Sequence, residues 1–201
     1  QVPFHKVSKI KTMPNHLPRR LALYTIYILC LAAQRVAFAQ ILKLSITHGP
    51  MPGYGYSIFT HMTVGGSSIW AVVDTGSANT FFVWKDWYEK ELGEGACKDF
   101  KSGCYTCPTS CEPHGFDYIE FADGTVVDIF DYKDTMKLGD AEIANLHFGL
   151  VYEQDPPPKV RPAFSLLGLS PYTHEAFNSL LEQLVGKSHR TITSKTFAVY
   201  L

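Results

Sequence analysis

Asp74, Thr75, Gly76 and Ser77 follow directly on the apolar run 69–73 and supply a carboxylate, two hydroxyls and a glycine in four consecutive positions. A carboxylate can take a proton from a water or lend one to a carbonyl oxygen, and its neighbours decide how it is aimed. A glycine two residues on lets another backbone come close, and the two hydroxyls can hydrogen-bond the charged oxygens. The same residues would also serve as a plain Asx turn between strands. A second chemically capable group is the set Cys97, Cys104, Cys107 and Cys111, crowded among Gly, Pro and Ser. In an exported chain such a set reads as two short-loop disulfides, with three pairings open. The competing chemistries are a four-thiolate zinc site and a redox pair at Cys104 and Cys107. Zinc ribbons bring two C-x-x-C knuckles together and only one is present, so disulfides are expected and no metal. His48, His61, His114, His147, His174 and His189 are scattered without ligand spacing.

The elements that must position these groups read mostly as strands punctuated by glycine. Residues 56–64 are rich in β-formers, Gly65-Gly66 marks a hairpin turn, and 68–73 alternates in burial pattern and delivers Asp74 at its end. Residues 79–84 resume as strand, and Asp86 with Glu89 three residues later is a capping pattern for a short helix ending near Gly93. Strands are predicted at 118–121, 126–130, 132–138 and 143–151, with turns at Asp123-Gly124 and Gly139-Asp140, as an antiparallel meander. Asp155 and the three prolines after it form an extended surface loop, since proline cannot continue a sheet. A buried run follows at 164–169. Phe177, Leu180, Leu181 and Leu184 recur at helical spacing, and 196–201 reads as a last strand. These elements predict one all-β, β-rich domain with two short helices.

Here the residues resemble a known family. Segment 71–79 (AVVDTGSAN) closely resembles the first active-site motif of the pepsin-like aspartic proteases. Residues 119–125 with their flanking strands resemble that family's flap hairpin, 143–150 (IANLHFGL) the strand after it, and 165–169 (SLLGL) the element that crosses behind the catalytic loop. The helix at 175–185 and the segment 196–201 (TFAVYL) are similar to the end of the first lobe. The resemblance therefore implies the N-terminal lobe of the pepsin-like acid protease fold over 40–201, with antiparallel sheets or a barrel and a flap hairpin.

In that family two aspartates, one per lobe, share a proton across a cleft, because close like charges do not both ionise easily. One acts as base toward a water and the other as acid toward the peptide carbonyl. The resemblance makes Asp74 one of the pair, with Ser77 bonding its outer oxygen, Thr75 locking the two loops at the lobe junction and Gly76 allowing the close approach. Phe121, Asp123 and Gly124 of the flap, with Phe81, would face the substrate. No metal or organic cofactor is implied. Two departures matter. Only one D-T-G is present, Asp123-Gly124-Thr125 and Asp134-Thr135-Met136 being different triplets, so an incomplete chain is expected, its C-terminal lobe absent and its partner a second lobe from a missing half or another subunit. The flap tyrosine of the family aligns with Phe121 and its tryptophan partner with Phe81, so a Phe–Phe packing pair would replace a hydrogen bond. The function expected is an aspartic endopeptidase acting on peptide or protein substrates. The alternatives are a catalytically inactive secreted binding protein and a homodimeric aspartic protease.

Charge is uneven along the 201 residues: 1–39 hold six of the eighteen Lys and Arg and none of the nineteen Asp and Glu. The rest, with twelve basic and nineteen acidic residues, carries a net −7. An acidic body without a basic stripe makes nucleic acid an unsuitable partner. From Met13 the leader runs through Arg19-Arg20, the apolar stretch 21–33 and Ala37-Phe38-Ala39, an order that predicts a secretory signal peptide at 13–39 preceded by twelve upstream residues. The apolar stretch falls short of the ~20 residues a spanning helix needs, so no stable membrane span is expected after cleavage. The destination expected is the extracellular space or the endolysosomal lumen.

Overall fold

Strand β2 (Gly55–Val64) and strand β3 (Ser67–Asp74) form the hairpin on which Asp74 is mounted. The computed structural model describes residues 41–171, 177–186 and 189–200, all within the unit Ala39–Leu201. The leader at 13–39 lies outside these residues; among them no helix is long and apolar enough to cross a membrane. The turn works because Gly65 and Gly66 both take positive φ, 52° and 82°, the left-handed pair that two-residue hairpins require. Strand β1 (Ile46–Met51) pairs with the other edge of β2.

The strands β4 (Phe81–Val83), β5 (Phe116–Glu120), β6 (Val126–Leu138), β7 (Ala141–Asp155) and β8 (Leu166–Gly168) complete an eight-stranded sheet in the order β1-β2-β3-β8-β4-β7-β6-β5. A further pairing of β2 with β6, at Thr63 with Lys137 and Val64 with Met136, closes β2-β3-β8-β4-β7-β6 into a ring and leaves β1 and β5 outside it. The antiparallel meander expected over 118–151 is formed by β5, β6 and β7, while the sheet as a whole is mixed: β8 runs parallel to β3, and β4 parallel to β7. Returning a chain to the middle of a sheet after a long excursion frees it from the antiparallel constraint of a hairpin. The segments read as 126–130 and 132–138 are one strand, whose irregularity is taken up by register shifts near Asp128 and Asp134.

Inside, two clusters of buried side chains lie on opposite faces of the same central strands. Phe82, Phe130, Met136 and Leu167 belong to one; Phe81, Val83, Val127, Ile129 and Leu166 belong to the other. Strands buried on both faces read as continuous apolar runs rather than alternating ones, which is why Phe81-Phe82-Val83 and Leu166-Leu167 carry no polar residue.

Three helices occur among the described residues: α1 (Lys85–Leu92), α2 (Ala96–Asp99) and α3 (Leu180–Val185). The two-helix expectation missed α2, a single turn beside the first disulfide. The capping pattern at Asp86 also needs correction, since the N-cap is Trp84 without a side-chain bond and Asp86 sits in the first turn. Its charge there still favours the positive end of the helix dipole. The last helix was expected from 175. Residues 172–176 lie outside the described ones, and 177–179 are not helical; the Ser179 side chain accepts from Glu182 N at 3.3 Å and sets the helix start at Leu180. The strand expected at 196–201 is not formed over 196–200, which is irregular, exposed and paired to no strand among the described residues. A strand exists only through a neighbour that takes its backbone hydrogen bonds.

Candidate active site

The Asp74 carbonyl is held from behind by β8. Strands β3 and β8 run side by side with Asp74 opposite Gly168, and Leu169 N donates to Asp74 O at 2.8 Å. Ser170 N then donates to Ser77 O at 2.9 Å, so both ends of the Asp74–Ser77 loop are tied to the segment after β8. Gly168 is obligatory in this contact: a Cβ there would meet the Ser77 carbonyl oxygen at 2.7 Å. Gly168 N in turn donates to Thr80 Oγ1 at 3.2 Å, and Ser165 Oγ accepts from Val83 N at 3.1 Å. The loop, β4 and β8 are thus cross-tied by backbone and hydroxyl bonds within the buried sheet.

Within the loop, the half-buried Asp74 carboxylate accepts from Gly76 N at 2.8 Å through Oδ1. This is Asx-turn geometry, and it aims the carboxylate: the turn and the aimed acid, weighed above as alternatives, are one arrangement. Gly76 suits the place, since a Cβ would approach Asp74 Oδ1 to 3.3 Å. The Ser77 Oγ accepts from Asn79 N at 3.1 Å, which shapes the loop; among the described residues the expected bond from this hydroxyl to Asp74 is not formed, and accepting from Asn79 leaves the hydroxyl able to donate. Thr75 is exposed at the loop tip. Asn79 is buried, and its Oδ1 has no hydrogen-bond partner among the described residues.

The hairpin of β5 and β6 carries the flap residues at its tip. Phe121 N donates to Thr125 O at 2.8 Å, Gly124 N donates to Phe121 O at 2.9 Å, and Gly124 takes φ 80°. Phe121 and Phe81 do meet, edge to face, with ring centroids 6.3 Å apart. They do so with a third ring that sequence reasoning did not single out: Phe164 lies 5.3 Å from Phe121 and 5.7 Å from Phe81. Tyr54 packs edge-on against Phe164 at 5.2 Å. Edge-to-face rings at these distances are favourable beyond the area they bury.

Arg161 was likewise missed. Its Nη1 donates to Thr125 Oγ1 at 2.5 Å and lies 3.0 Å from Asp123 Oδ2. Hydrogen bonds from the Thr125 backbone and hydroxyl, aided by the Arg161 charge, hold the Asp123 carboxyl below the usual carboxylate range. No sequence signal marked Arg161, because its partners lie 36 and 38 residues away on another hairpin.

The four cysteines pair as Cys97–Cys104 and Cys107–Cys111, each with Cα atoms 5.8 Å apart. Cys104 and Cys107 therefore belong to different bridges, which removes the redox-pair reading. Among the described residues no group of three or more His, Cys, Asp or Glu is placed to hold a metal ion. Between the bridges, Tyr105 is fully buried and donates to Asp134 Oδ2 at 2.5 Å. Burial, then this bond, raises its phenol well above the ordinary value. Two open surface grooves, of about 480 Å³ beside α1 and α2 and about 630 Å³ beside β7 and α3, are lined by other residues than the Asp74 loop. Their depth is no guide to the chemistry, which follows the aimed carboxylate.

Comparison with known proteins gives one result that bears on this geometry. A family model described as eukaryotic aspartyl protease matches residues 57–201. A search of the curated proteins finds no match.

Proposed function

Because this chain belongs to the eukaryotic aspartyl proteases, a family of aspartic endopeptidases, we propose that Asp74 is one of two carboxylates that together direct a water at a peptide bond. The observation that carries this reading is the aimed carboxylate: Asp74 Oδ1 accepts from Gly76 N while its loop is tied at both ends to the segment after Gly168. A carboxylate so held keeps its orientation as charge develops beside it, without reorganisation at the moment of reaction. The second carboxylate comes from another lobe, and the pair shares one proton: one accepts the proton of the attacking water, the other protonates the scissile carbonyl oxygen. Thr75, exposed at the tip, meets that lobe. Phe121, half-buried over the buried rings of Phe81 and Phe164, offers an apolar surface at the flap, so substrates are peptides with apolar residues beside the cleaved bond. The enzyme works at acidic pH, in the extracellular space or an endolysosomal lumen reached by way of the signal peptide at 13–39.

A binding protein without activity is favoured by one observation, the purely apolar contact of Phe121 with Phe81. The test covers both readings. A quenched peptide with apolar residues on each side of its scissile bond is offered at acidic pH to this chain alone and to this chain mixed with a lobe carrying a second D-T-G or D-S-G. Pepstatin-sensitive cleavage in the mixture, reduced about 10²- to 10⁴-fold by Asp74→Asn, is the expected result. Peptide binding without cleavage in both arms would make the chain a binding protein. Cleavage by the chain alone, rising with the square of its concentration, would make it a homodimeric protease.

A further inference from the structure

We propose that Arg161 is the positioning residue of the flap, fixing the hairpin tip in place of the hydrogen bond that Phe121 and Phe81 are unable to make. The inference rests on reading the β5–β6 hairpin as the flap of an aspartic protease. Its physical basis is a division of labour at the tip. Phe121 adheres to Phe164 and Phe81, but apolar adhesion is non-directional and permits the tip to slide or roll over those rings. A guanidinium is rigid and planar, so its N–H groups fix direction as well as distance.

Arg161 has the geometry for that task on both sides. Toward the flap, its Nη1 reaches Thr125 Oγ1 at 2.5 Å, Asp123 Oδ2 at 3.0 Å and Asp123 O at 3.4 Å, so it holds both residues that flank Gly124. Toward the body, its guanidinium carbon lies 5.6 Å from the Tyr54 ring centroid, and the Tyr54 hydroxyl donates to Pro162 O at 3.2 Å. The arm carrying it is anchored too. Gln154, buried near the end of β7, donates to Arg161 O at 2.9 Å and to Pro156 O at 2.8 Å, and Arg161 N donates to Pro157 O at 3.0 Å. The proline loop is therefore a bracket from the sheet to the flap. Without it, the tip would hang on one turn and the two aromatic contacts of Phe121, the condition in which segments open locally.

The test is amide hydrogen exchange on the folded chain. Arg161→Met is expected to lower protection of the Phe121 and Gly124 amides by about tenfold, with Leu150 and Val151 unchanged. Arg161→Lys, which keeps the charge and loses the planar guanidinium over the Tyr54 ring, restores less than half of that loss on a logarithmic scale. Asp123 adds a readout that a merely structural role would not move. The charged and titratable groups beside it are Arg161 and the Tyr54 phenol. Its carboxyl is held below the ordinary range, so flap protection in the native chain persists as pH falls through that range and drops only beneath it; in Asp123→Asn that drop is absent. Flap protection in Arg161→Met within twofold of the native chain would overturn the proposal. If Arg161→Met unfolds, Arg161→Lys and Asp123→Asn decide the matter in the same way. Exchange requires no turnover, so a failed cleavage test and a failed latch test are separate results.

Discussion

At Gly168 an added methyl would lie 2.7 Å from Ser77 O and 2.8 Å from the Asn79 carbonyl carbon. Both are backbone atoms of the loop that begins at Asp74, and backbone has no rotamer by which to yield. Gly168→Ala should therefore cost about 1–3 kcal/mol, read as a lower urea midpoint. Gly76→Ala provides the contrast: its φ is outside the left-handed region and its nearest contact is the Asp74 carboxylate at 3.3 Å, so stability should change by less than about 1 kcal/mol. Equal midpoints for the two variants would contradict this account. Asp74, Thr75, Gly76 and Ser77 were legible because a turn at a strand end is a local matter of four residues. The bond that Ser77 Oγ accepts from Asn79 N was not legible, since the position of a hydroxyl within a loop depends on coordinates a few ångströms apart.

Among the elements, the β5–β6–β7 layer sets like charges side by side. Asp128 pairs directly with Glu153 across β6 and β7, with Tyr118 on its other flank. Burial, and then the Glu153 charge, raises the Asp128 carboxyl. A raised acid binds its proton more tightly in the folded chain than in the unfolded one. Stability therefore falls as pH rises from the ordinary carboxylate value, ~3.9, through the raised one. Asp128→Asn should stabilise the protein above that window by less than about 1 kcal/mol and leave it unchanged below. Thermal melts at neutral and acidic pH check this, and a lower neutral Tm in the variant would refute it. The cysteine loop shows the same limit on sequence reading at element scale. Composition made two bridges the expectation, but the pairing is decided by Tyr105, which stands between Cys104 and Cys107, is buried in the core and bridges to Trp84. That anchor splits the run into two separate loops.

Over the described body as a whole, β4, β6 and β8 contribute side chains to both buried clusters, and the β2–β6 pairing closes the ring around one of them. Neither cluster can be exposed without disrupting strands that the other requires. Unfolding in urea should therefore follow one transition, with coincident midpoints for far-UV circular dichroism and for the fluorescence of a variant keeping only Trp87, which is buried in the second cluster. Two resolved midpoints would mean that the clusters are independent.

By itself the sequence determined what depends on neighbours along the chain: the hairpin at Gly65-Gly66, the turns at Asp123-Gly124 and Gly139-Asp140, the Asp74 tetrad, the apolar runs of the central strands, and through these the family to which the chain belongs. Backbone conformation and burial pattern are local quantities, written in residue type and spacing. Only the tertiary structure decided that β8 enters between β3 and β4, parallel to the first and antiparallel to the second, that Phe164 completes the aromatic contact of Phe81 and Phe121, and that Arg161 reaches Asp123 and Thr125. Those facts join residues separated by tens of positions, and a contact of that kind is fixed by where the closed ring of strands places each surface, which no local pattern encodes.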